Sequence, residues 1–437
     1  MHVNAIGIKQ QDLEIITSSK AFAQRLAALI QRAKKRIVIS SLYLQDDDAG
    51  RAIMTLLVDA KQQNPALSIS ILLDDHRARR GRIGEKSSAG NQAYYQQLCQ
   101  EHNVDIGFYG VRVKARELMG VMHLKGMMFD NVVLYSGASI NNDYLHQGEK
   151  YRLDRYYQID NQHLADSMCR LLLDELVASN TVTSLLSATL PSKKQLKGLC
   201  QRTFNTLKNT QYQFVASTVE EGISATPILG CGYRKNALNK ISLSLIKASS
   251  TSIVLITPYF NLPKPVIKAL VKAMKRGVEV NIIVGDKSAN DFFISDDEAF
   301  STIGIIPYLY EKILKRFLIK FDSYLSKGLL NVHLWRDQEN SFHAKGMIVD
   351  DIYHLVTGSN MNPRAWTLDL ENAILLQDHQ QIIKEDVDQE LAIIMANTTK
   401  VTHANMIDDV RDYPEKPKKL IKKLSLSKVD RLLKRFL

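Results

Sequence analysis

The sequence predicts an α/β protein made of two similar halves. Residues 37–43 (IVISSLY) and 253–259 (IVLITPY) are apolar, β-branched runs that end in tyrosine, and such runs are typical of buried strands. Each run precedes a helical pattern, which in turn precedes a second apolar run. Strand, helix and strand in this order indicate a βαβ unit, in which helices cover parallel strands. The helices and second strands are expected at 50–62 and 67–74 in the first half, and at 263–276 and 278–286 in the second.

The spacing of these elements indicates an internal duplication. Tyr43 and Tyr259 are 216 residues apart, and two histidine-containing segments described below are 220 residues apart. Similar spacing of elements in the same order is the signature of a repeat. We expect two domains, each a mixed sheet flanked by helices, with one active site at their pseudo-twofold interface. The expected ranges are a first domain at 1–186, a linker at 187–235, a second domain at 236–400 and a basic amphipathic tail at 401–437.

Composition narrows the class of protein. With 437 residues, 45% of them hydrophobic and 24% charged, the chain has the proportions of a globular protein with more than one domain. No apolar run approaches the roughly 18 residues that a membrane-spanning helix needs. No basic-then-apolar leader is present in the first residues, which favours a cytoplasmic location. The four scattered cysteines favour free thiols over a zinc site or a disulfide framework.

The formal net charge of +11 predicts an anionic partner, and much of the excess lies in the tail. Between Arg411 and Leu437 there are ten Lys/Arg and three Asp/Glu. One interpretation is a basic amphipathic helix on the anionic inner face of the cell membrane. The alternatives are a helix packed on the body of the protein, and association with nucleic acid or ribosomes. Residues 312–327 form a second basic and apolar segment, either interfacial or packed. The candidate membrane-binding residues are Lys418, Lys419, Lys422, Lys423, Lys434 and Arg435.

Two eight-residue segments carry the chemistry that we predict for this chain. His123, Lys125 and Asp130 are spaced H-x-K-x-x-x-x-D, and this spacing recurs in the second half. In both halves a serine lies nine residues after the aspartate, and an asparagine lies three residues further on. Side chains two apart on a strand share a face, so each histidine is expected beside its lysine. The second set is His343, Lys345 and Asp350, and the downstream pairs are Ser139 with Asn142 and Ser359 with Asn362.

This combination of groups suits displacement at a phosphodiester. Lysine, serine and asparagine donors can hold the non-bridging oxygens and stabilise the charge of a pentacoordinate transition state. One neutral imidazole can attack phosphorus, while the other transfers protons to and from the departing and incoming oxygens. We expect no metal and no cofactor. A lone His-x-Lys is more often structural than catalytic, but its repetition in both halves favours catalysis.

Each reacting imidazole needs a carboxylate that fixes its tautomer. Glu371 follows the second motif by 28 residues, and Asp154 follows the first by 31, so these two are the candidates. Arg77 and Arg80 lie near the end of a predicted strand, at the edge of an α/β sheet where ligands often bind. They either hold an anionic substrate or form a cluster of surface charge.

The doubled motif resembles the signature of the phospholipase D superfamily, so a duplicated phospholipase D-like fold is implied over nearly the whole chain. Longer stretches at 75–84 (DHRARRGRIG), 284–292 (VGDKSANDF) and 362–366 (NPRAW) resemble the bacterial phosphatidylserine synthases of the phospholipase D-like type. The first half departs from the superfamily pattern, since it reads Gly-Ala-Ser where Gly-Ser is usual. In both halves the serine lies one residue late.

The resemblance implies a two-step exchange. His123 would attack CDP-diacylglycerol and release CMP, and L-serine would then attack the phosphatidyl-histidine with His343 acting as acid and then base. The arginines would contact the diphosphate of the donor. The motifs themselves are symmetric, so this division of roles rests on the resemblance. A cardiolipin synthase, a phospholipase D and a nuclease share the motifs, and a nucleic-acid-binding or ribosome-binding module remains an alternative of another class.

Overall fold

The computed structural model describes residues 4–80, 90–187, 189, 191–218, 222–232, 234–295, 298–426 and 433. It divides into two compact units. Unit 1 comprises Met1–Leu238, Val356–Ser359 and Leu368–Ile382, and unit 2 comprises Asn239–Leu355, Asn360–Thr367 and Ile383–Leu437. Within the described ranges no helix is both long enough and apolar enough to span a membrane.

Helices and strands alternate along much of the chain. The helices are α1 (Ser19–Arg32), α2 (Asp48–Gln63), α3 (Asp75–Arg79), α4 (Asn91–His102), α5 (Gln162–Leu172), α6 (Lys193–Leu207), α7 (Ala237–Ala248), α8 (Lys264–Lys275), α9 (Ile306–Lys320), α10 (Asp322–Ser326), α11 (Pro363–Thr367), α12 (Lys384–Ala396) and α13 (Glu415–Leu426). The strands are β1 (Ile6–Ile8), β2 (Leu13–Ile16), β3 (Arg36–Ser41), β4 (Ser68–Asp74), β5 (Gly107–Val111), β6 (Gly126–Phe129), β7 (Val132–Ser136), β8 (Arg152–Leu153), β9 (Tyr156–Asp160), β10 (Val182–Ser184), β11 (Ile223–Cys231), β12 (Ser252–Thr257), β13 (Glu279–Gly285), β14 (Leu330–Trp335), β15 (Ser341–Phe342), β16 (Gly346–Val349), β17 (Tyr353–Thr357), β18 (Leu370–Gln377) and β19 (Thr398–Val401).

The main sheet of unit 1 has eight strands in the order β10-β5-β4-β3-β6-β7-β9-β2. Strands β3, β4 and β5 are parallel, and β6 lies antiparallel to β3. Apolar side chains of β3 and β4 are buried together with those of α1, α2 and α4. Helix α2 begins where the Asp47 carboxylate accepts the backbone N–H of Gly50, a side-chain cap for the free donors of the first turn.

Unit 2 repeats this arrangement. Its strands follow the order β16-β12-β13-β14-β19, in which β12, β13 and β14 are parallel and β16 is antiparallel to β12. The register is the same in both units, since Ile37 pairs with Phe129 in unit 1 and Ile253 pairs with Val349 in unit 2. The predicted α/β class, the βαβ units and the duplication are therefore confirmed.

The segment predicted as a linker, 187–235, is more ordered than expected. It contains the 15-residue helix α6, whose N-terminus has a reciprocal capping box between Ser192 and Gln195. It also contains the nine-residue strand β11, which pairs antiparallel with β18 in unit 1. The sequence analysis treated this segment as a connection and did not predict α6, because the lysines of α6 conceal a helical pattern. The Ser-x-x-Gln signal of the capping box was available in the sequence.

The motif aspartates hold the turns between strands. Asp130 lies between β6 and β7, and its carboxylate accepts the backbone N–H groups of Lys34, Lys35 and Arg36 at 2.8–2.9 Å. Asp350 binds the equivalent N–H groups at 250–252 in unit 2. Burial alone would raise the pKa of Asp130, but these backbone donors outweigh it and lower the pKa. Backbone donors occupy both carboxylates, which supports a structural role for the two aspartates, and their assignment as catalytic residues stays a prediction.

Replacing Asp130 with alanine is expected to destabilise the protein by about 2 kcal/mol, because three backbone N–H groups lose a charged acceptor. The folded pKa of this carboxyl is lowered, so its stabilisation is present above the unfolded pKa of about 3.9 and is lost as the pH falls below it. Urea unfolding at neutral pH measures the effect, and Asp350→Ala is the matched change in unit 2. The exposed Asp160 at the end of β9 provides the control. An equal loss in Asp160→Ala would contradict the assignment.

The tail helix α13 packs on unit 2. Ile421 is buried in a cluster with Ile305, Tyr308 and Tyr413, and Leu420 and Leu424 pack against the same cluster. The apolar side of this helix is therefore covered, which supports the alternative interpretation of a helix packed on the body of the protein. In the segment 312–327, Leu314, Phe317, Leu318 and Leu325 are buried, which supports the packing interpretation there too.

Candidate active site

A short backbone pairing places His123. The N–H of His123 donates to the carbonyl of Leu370 at 2.8 Å, and the N–H of Leu370 donates to the carbonyl of Val121 at 3.0 Å. The Asp369 carboxylate accepts the N–H of Val121 at 2.9 Å. Residues 121–123 thus lie beside 369–371 within unit 1. His123 and Lys125 precede β6 instead of lying in a histidine-containing strand, as the sequence had suggested.

This pairing brings Glu371 to His123. Their Nδ1 and Oε2 atoms are 2.9 Å apart, and both side chains are buried. An ionised carboxylate can only accept, so Nδ1 carries the hydrogen and Nε2 is left with its lone pair. That tautomer is the one that a nucleophilic imidazole requires. The predicted carboxylate–histidine pairing is present, and it joins the carboxylate that follows the second motif to the histidine of the first.

Lys125 is held by two sets of contacts. Its Nζ donates to Ser139 Oγ at 3.2 Å and to the Ala138 carbonyl at 3.3 Å, and the side chain is almost fully buried. Its backbone N–H and carbonyl both bind the side-chain amide of Asn372 at 2.8 Å. Sequence analysis missed Asn372, although it directly follows Glu371. Its reciprocal bonds fix the backbone just after His123.

Asp74 is a second residue that sequence analysis missed. It ends β4, is fully buried, and accepts the backbone N–H of Met122 at 2.9 Å and that of Arg77 at 3.0 Å. Burial raises the pKa of Asp74 to about 7, while the two N–H donors act in the opposite direction. One carboxylate therefore ties the end of a core strand to the residue that precedes His123.

The second motif occupies a comparable place in unit 2. The Lys345 Nζ contacts both Nδ1 and the carbonyl oxygen of His343, and both side chains are buried. The predicted adjacency of histidine and lysine is thus present in this copy. The ring of Tyr259 meets the His343 ring edge-on, with centroids 6.2 Å apart. After each motif lysine the chain turns at a glycine with positive φ, 124° at Gly126 and 150° at Gly346.

The downstream serines Ser139 and Ser359 do not occupy equivalent positions, although each lies nine residues after its motif aspartate. The N–H of Ala138 donates to Ser136 Oγ at 3.0 Å, and in the other copy the N–H of Ser359 donates to Thr357 Oγ1 at 3.0 Å. Ala138, not Ser139, thus corresponds to Ser359. The turn from Asp350 to β17 is one residue longer than the turn from Asp130 to β7. Equal distances from the two aspartates therefore lead to positions that are not equivalent in the fold.

The two asparagines hold the ends of helices. The Asn142 Oδ1 accepts the N–H of Ala49 at the start of α2, at 2.9 Å. The Asn362 Oδ1 accepts the N–H of Ala365 at the start of α11, also at 2.9 Å. The carbonyl oxygens of both asparagines thus accept backbone N–H groups at helix starts, and binding of substrate by these residues stays a prediction.

The remaining candidates occupy defined positions in unit 1. Asp154 is buried, and its carboxylate accepts the N–H of Arg155 at 2.9 Å. Arg77 and Arg80 share the carboxylate of Glu117 at 3.3 and 2.9 Å, and the Arg77 guanidinium lies over the Tyr43 ring. The arginine pair is therefore partly neutralised. Among the tail candidates, Lys434 and Arg435 lie outside the described residues, while Lys419, Lys422 and Lys423 are exposed and Lys418 donates to Glu415 at 3.3 Å.

Groups of three or more His, Cys, Asp or Glu side chains arranged to hold a metal ion do not occur in the part of the chain that the structure describes. Other polar groups lie around the two motif histidines: the Glu371 carboxylate contacts His123, Ser139 accepts from Lys125, and Lys345 contacts His343.

Comparison with known proteins identifies the family. The family model described as cardiolipin synthase, PLD-like domain, matches twice, at residues 26–168 and 243–395. A CDP-diacylglycerol–serine O-phosphatidyltransferase of Escherichia coli strain K12 is 41% identical, over 98% of this chain and 94% of its own. The enzyme of the same name from Haemophilus influenzae is 40% identical, over 99% and 96%. The crystal structure of a Haemophilus influenzae phosphatidylserine synthase superposes with a TM-score of 0.95, at 39% identity over 99% of this chain and 97% of that one. The chain therefore belongs to the phospholipase D superfamily and, within it, to the family of these bacterial CDP-diacylglycerol–serine O-phosphatidyltransferases.

Proposed function

We propose that this protein is an enzyme that transfers the phosphatidyl group of CDP-diacylglycerol to L-serine, giving phosphatidylserine and CMP. The observation that carries the proposal is the full-length identity of 41% to an enzyme of that name, in a chain that retains both H-x-K-x-x-x-x-D motifs. The buried pair of His123 and Glu371 supplies the chemistry, because a carboxylate on Nδ1 favours the tautomer in which Nε2 carries the lone pair.

In the first step, His123 Nε2 attacks the phosphorus that bears diacylglycerol. A phosphorus–nitrogen bond forms, the bond from phosphorus to the CMP oxygen breaks, and its electron pair leaves with CMP. Glu371 stabilises the imidazolium that develops. The ammonium of Lys125, held beside Ser139, compensates the charge on the non-bridging oxygens.

In the second step, the serine hydroxyl attacks the same phosphorus. The His343 imidazole takes the hydroxyl proton, the new phosphorus–oxygen bond forms, and the phosphorus–nitrogen bond breaks with its electron pair returning to His123. We assign the nucleophile to His123 because the carboxylate of Glu371 lies on its Nδ1.

The experiment that tests this function follows labelled CMP released from CDP-diacylglycerol in mixed micelles with EDTA, with and without L-serine. Serine-dependent formation of phosphatidylserine in EDTA would establish the transferase and its independence of divalent metal. Glycerol and phosphatidylglycerol serve as alternative acceptors. Transfer to one of these in place of serine would instead support a cardiolipin synthase-like activity, and release by water alone would support a phospholipase.

Replacing Glu371 with glutamine is expected to lower the rate of transfer 10- to 100-fold, because the amide can hold either tautomer of the imidazole and cannot stabilise its cation. The loss should fall on kcat, with the KM for serine nearly unchanged. Steady-state kinetics with both substrates measure this split. The control is Glu385→Gln, an exposed glutamate at the start of α12. An equal loss in both variants would argue against the pairing of Glu371 with His123 as its cause.

We propose further that the enzyme works in the cytoplasm at the inner face of the cell membrane, where its lipid donor resides. The support is the exposed lysine face of α13, formed by Lys419, Lys422 and Lys423. The apolar side of that helix is covered within unit 2, so attraction of lysines to anionic headgroups, not insertion of leucines, provides the contact.

Replacing these three lysines with glutamine is expected to weaken binding to vesicles of anionic phospholipid by up to about 100-fold, at about 1 kcal/mol for each charge removed. Flotation of vesicles at low and at physiological salt measures the binding, and the difference should shrink as salt rises.

The matched control removes the same charge from α6, where Lys193, Lys194 and Lys197 are exposed. An equal loss in that control would show that net charge alone is responsible. Retention of RNA or ribosomes by the wild type, with no vesicle binding, would favour the nucleic-acid alternative.

A further inference from the structure

A pocket opens in unit 2 at the carboxyl ends of β12 and β13, against helix α9. Its floor is apolar, with Val284, Leu314 and Leu334, and its walls carry aromatic and polar side chains. Ligands of open α/β sheets bind at the carboxyl ends of strands.

The pocket is one aromatic ring away from His343. Tyr259 lines it and stacks on Tyr310 with ring centroids 5.2 Å apart and an angle of 12°. The Tyr259 ring also meets the His343 ring edge-on, with ring centroids 6.2 Å apart. A ligand in the pocket therefore lies close to the imidazole that is assigned the proton transfer of the second step.

Two polar groups at the pocket wall lack a protein partner. Asn290 is 8% exposed, and its Oδ1 accepts the N–H of Phe292 at 2.9 Å, while its Nδ2 donates to no group among the described residues. The hydroxyl of Tyr310, also 8% exposed, is likewise without a hydrogen-bond partner in the described part of the chain. Both residues line the pocket, so these two donors are available to an anionic or carbonyl group of a ligand.

The same wall carries both signs of charge. Lys287 donates to Glu311 at 3.1 Å and to Asp408 at 2.5 Å, and its ammonium lies between the rings of Tyr308 and Tyr413. Burial raises the pKa of Glu311 to about 7, and Lys287 acts against that shift. Two carboxylates would repel a nucleoside diphosphate. A small zwitterion, with one carboxylate and one ammonium, matches this wall.

We propose that this pocket binds the acceptor L-serine, an inference that rests on the proposed function. Asn290 Nδ2 and the Tyr310 hydroxyl donate to the α-carboxylate, and Glu311 accepts from the α-ammonium. The side-chain hydroxyl is then directed past Tyr259 toward His343, which takes its proton as the oxygen bonds to phosphorus. Water and glycerol have neither a carboxylate for the two donors nor an ammonium for Glu311, so they cannot form the charge-assisted bonds that serine forms. This difference is the source of selection for serine.

Two variants test the site with little change of shape. Tyr310→Phe removes only the hydroxyl, and it is expected to raise the KM for serine by about tenfold. Asn290→Asp keeps the acceptor for the Phe292 N–H but turns an anionic oxygen toward the serine carboxylate, so it is expected to raise the KM by about 100-fold. Both should shift the products from phosphatidylserine toward phosphatidic acid. Tyr324→Phe, on α10 and outside the pocket, is the control.

Exchange of labelled CMP into CDP-diacylglycerol without serine reports the first step alone. In both variants this exchange should stay within about twofold of the wild type. A KM for serine that rises while exchange is retained supports the proposal. Loss of exchange together with transfer would assign the pocket to the nucleotide or the lipid and overturn it, as would an unchanged KM for serine. If the wild type exchanges CMP but makes no phosphatidylserine, the proposed function itself fails.

Discussion

Replacing His123 with alanine is expected to abolish transfer to serine by at least about 10⁴-fold and to abolish exchange of labelled CMP into CDP-diacylglycerol as well. In the proposed mechanism both reactions pass through the covalent phosphatidyl-histidine, so losing the nucleophile removes them together. The first measurement is CMP exchange, since it needs neither serine nor the second histidine as a base. The second is the amount of labelled phosphatidyl group bound to the protein after denaturation, which should fall to the background.

The control for this variant is a buried histidine outside the two motifs. His333 in β14 is such a residue, and His333→Gln is expected to retain both exchange and transfer. Thermal unfolding of His123→Ala shows whether the fold is kept. A variant that is folded and still exchanges CMP would show that His123 is not the nucleophile, and the roles of the two histidines would then have to be reversed.

The elements of the fold could be predicted because their signals are local. Apolar runs and helical periodicity placed β3, α2 and β4, and also β12, α8 and β13, within one or two residues of their ends. The doubled motif likewise needed only the spacing of residues in the sequence. Helix α6 and strand β11 were missed, because lysines and threonines weaken the periodicity on which such predictions depend.

The contacts of the site could be predicted only in part, because they join residues far apart in the sequence. Glu371 was identified as a candidate, but its spacing gives no information on which histidine it reaches, and the contact with His123 spans 248 residues. Asn372 and Asp74 act on the backbone around His123. Such roles leave no pattern in a single sequence, since any short polar residue can accept an N–H.

The backbone contacts of four motif residues have one physical cause. A carboxylate or amide oxygen at a strand or helix end lies next to free backbone N–H groups, and it satisfies them before it can serve a substrate. Asp130, Asp350, Asn142 and Asn362 all have this position. His123, Lys125 and Lys345 do not, because their polar atoms meet side chains and carbonyl groups inside buried surroundings. Spacing alone therefore cannot separate the residues that react from those that shape the site.

Replacing His343 with alanine is expected to slow the second step, transfer to serine, far more than the first step, formation of the phosphatidyl-enzyme. CMP leaves as a phosphate oxygen whose pKa is about 6, so its departure needs little help from an acid. The serine hydroxyl, in contrast, must lose its proton as it attacks, and a general base contributes about 10²- to 10⁴-fold to such a step. We expect transfer to serine to fall by about 10³-fold or more while the phosphatidyl-enzyme still forms. Labelled phosphatidyl groups should therefore accumulate on the protein.

The protein is mixed with labelled CDP-diacylglycerol for seconds, the reaction is stopped, and the protein is separated on a gel. An acid quench does not suit this measurement, because a phosphorus–nitrogen bond is hydrolysed in acid. Denaturation in base preserves the bond, and loss of the label on later acid treatment identifies histidine as its carrier. The double variant His123→Ala with His343→Ala is the control and should carry no label. If His343→Ala accumulates no label and also loses CMP exchange, then His343 acts in the first step, and the release of CMP must depend on it as acid or as nucleophile. If label accumulates in His343→Ala and is absent from the double variant, then His123 carries the label. That result would assign the roles of the two histidines, which the symmetry of the motifs leaves open.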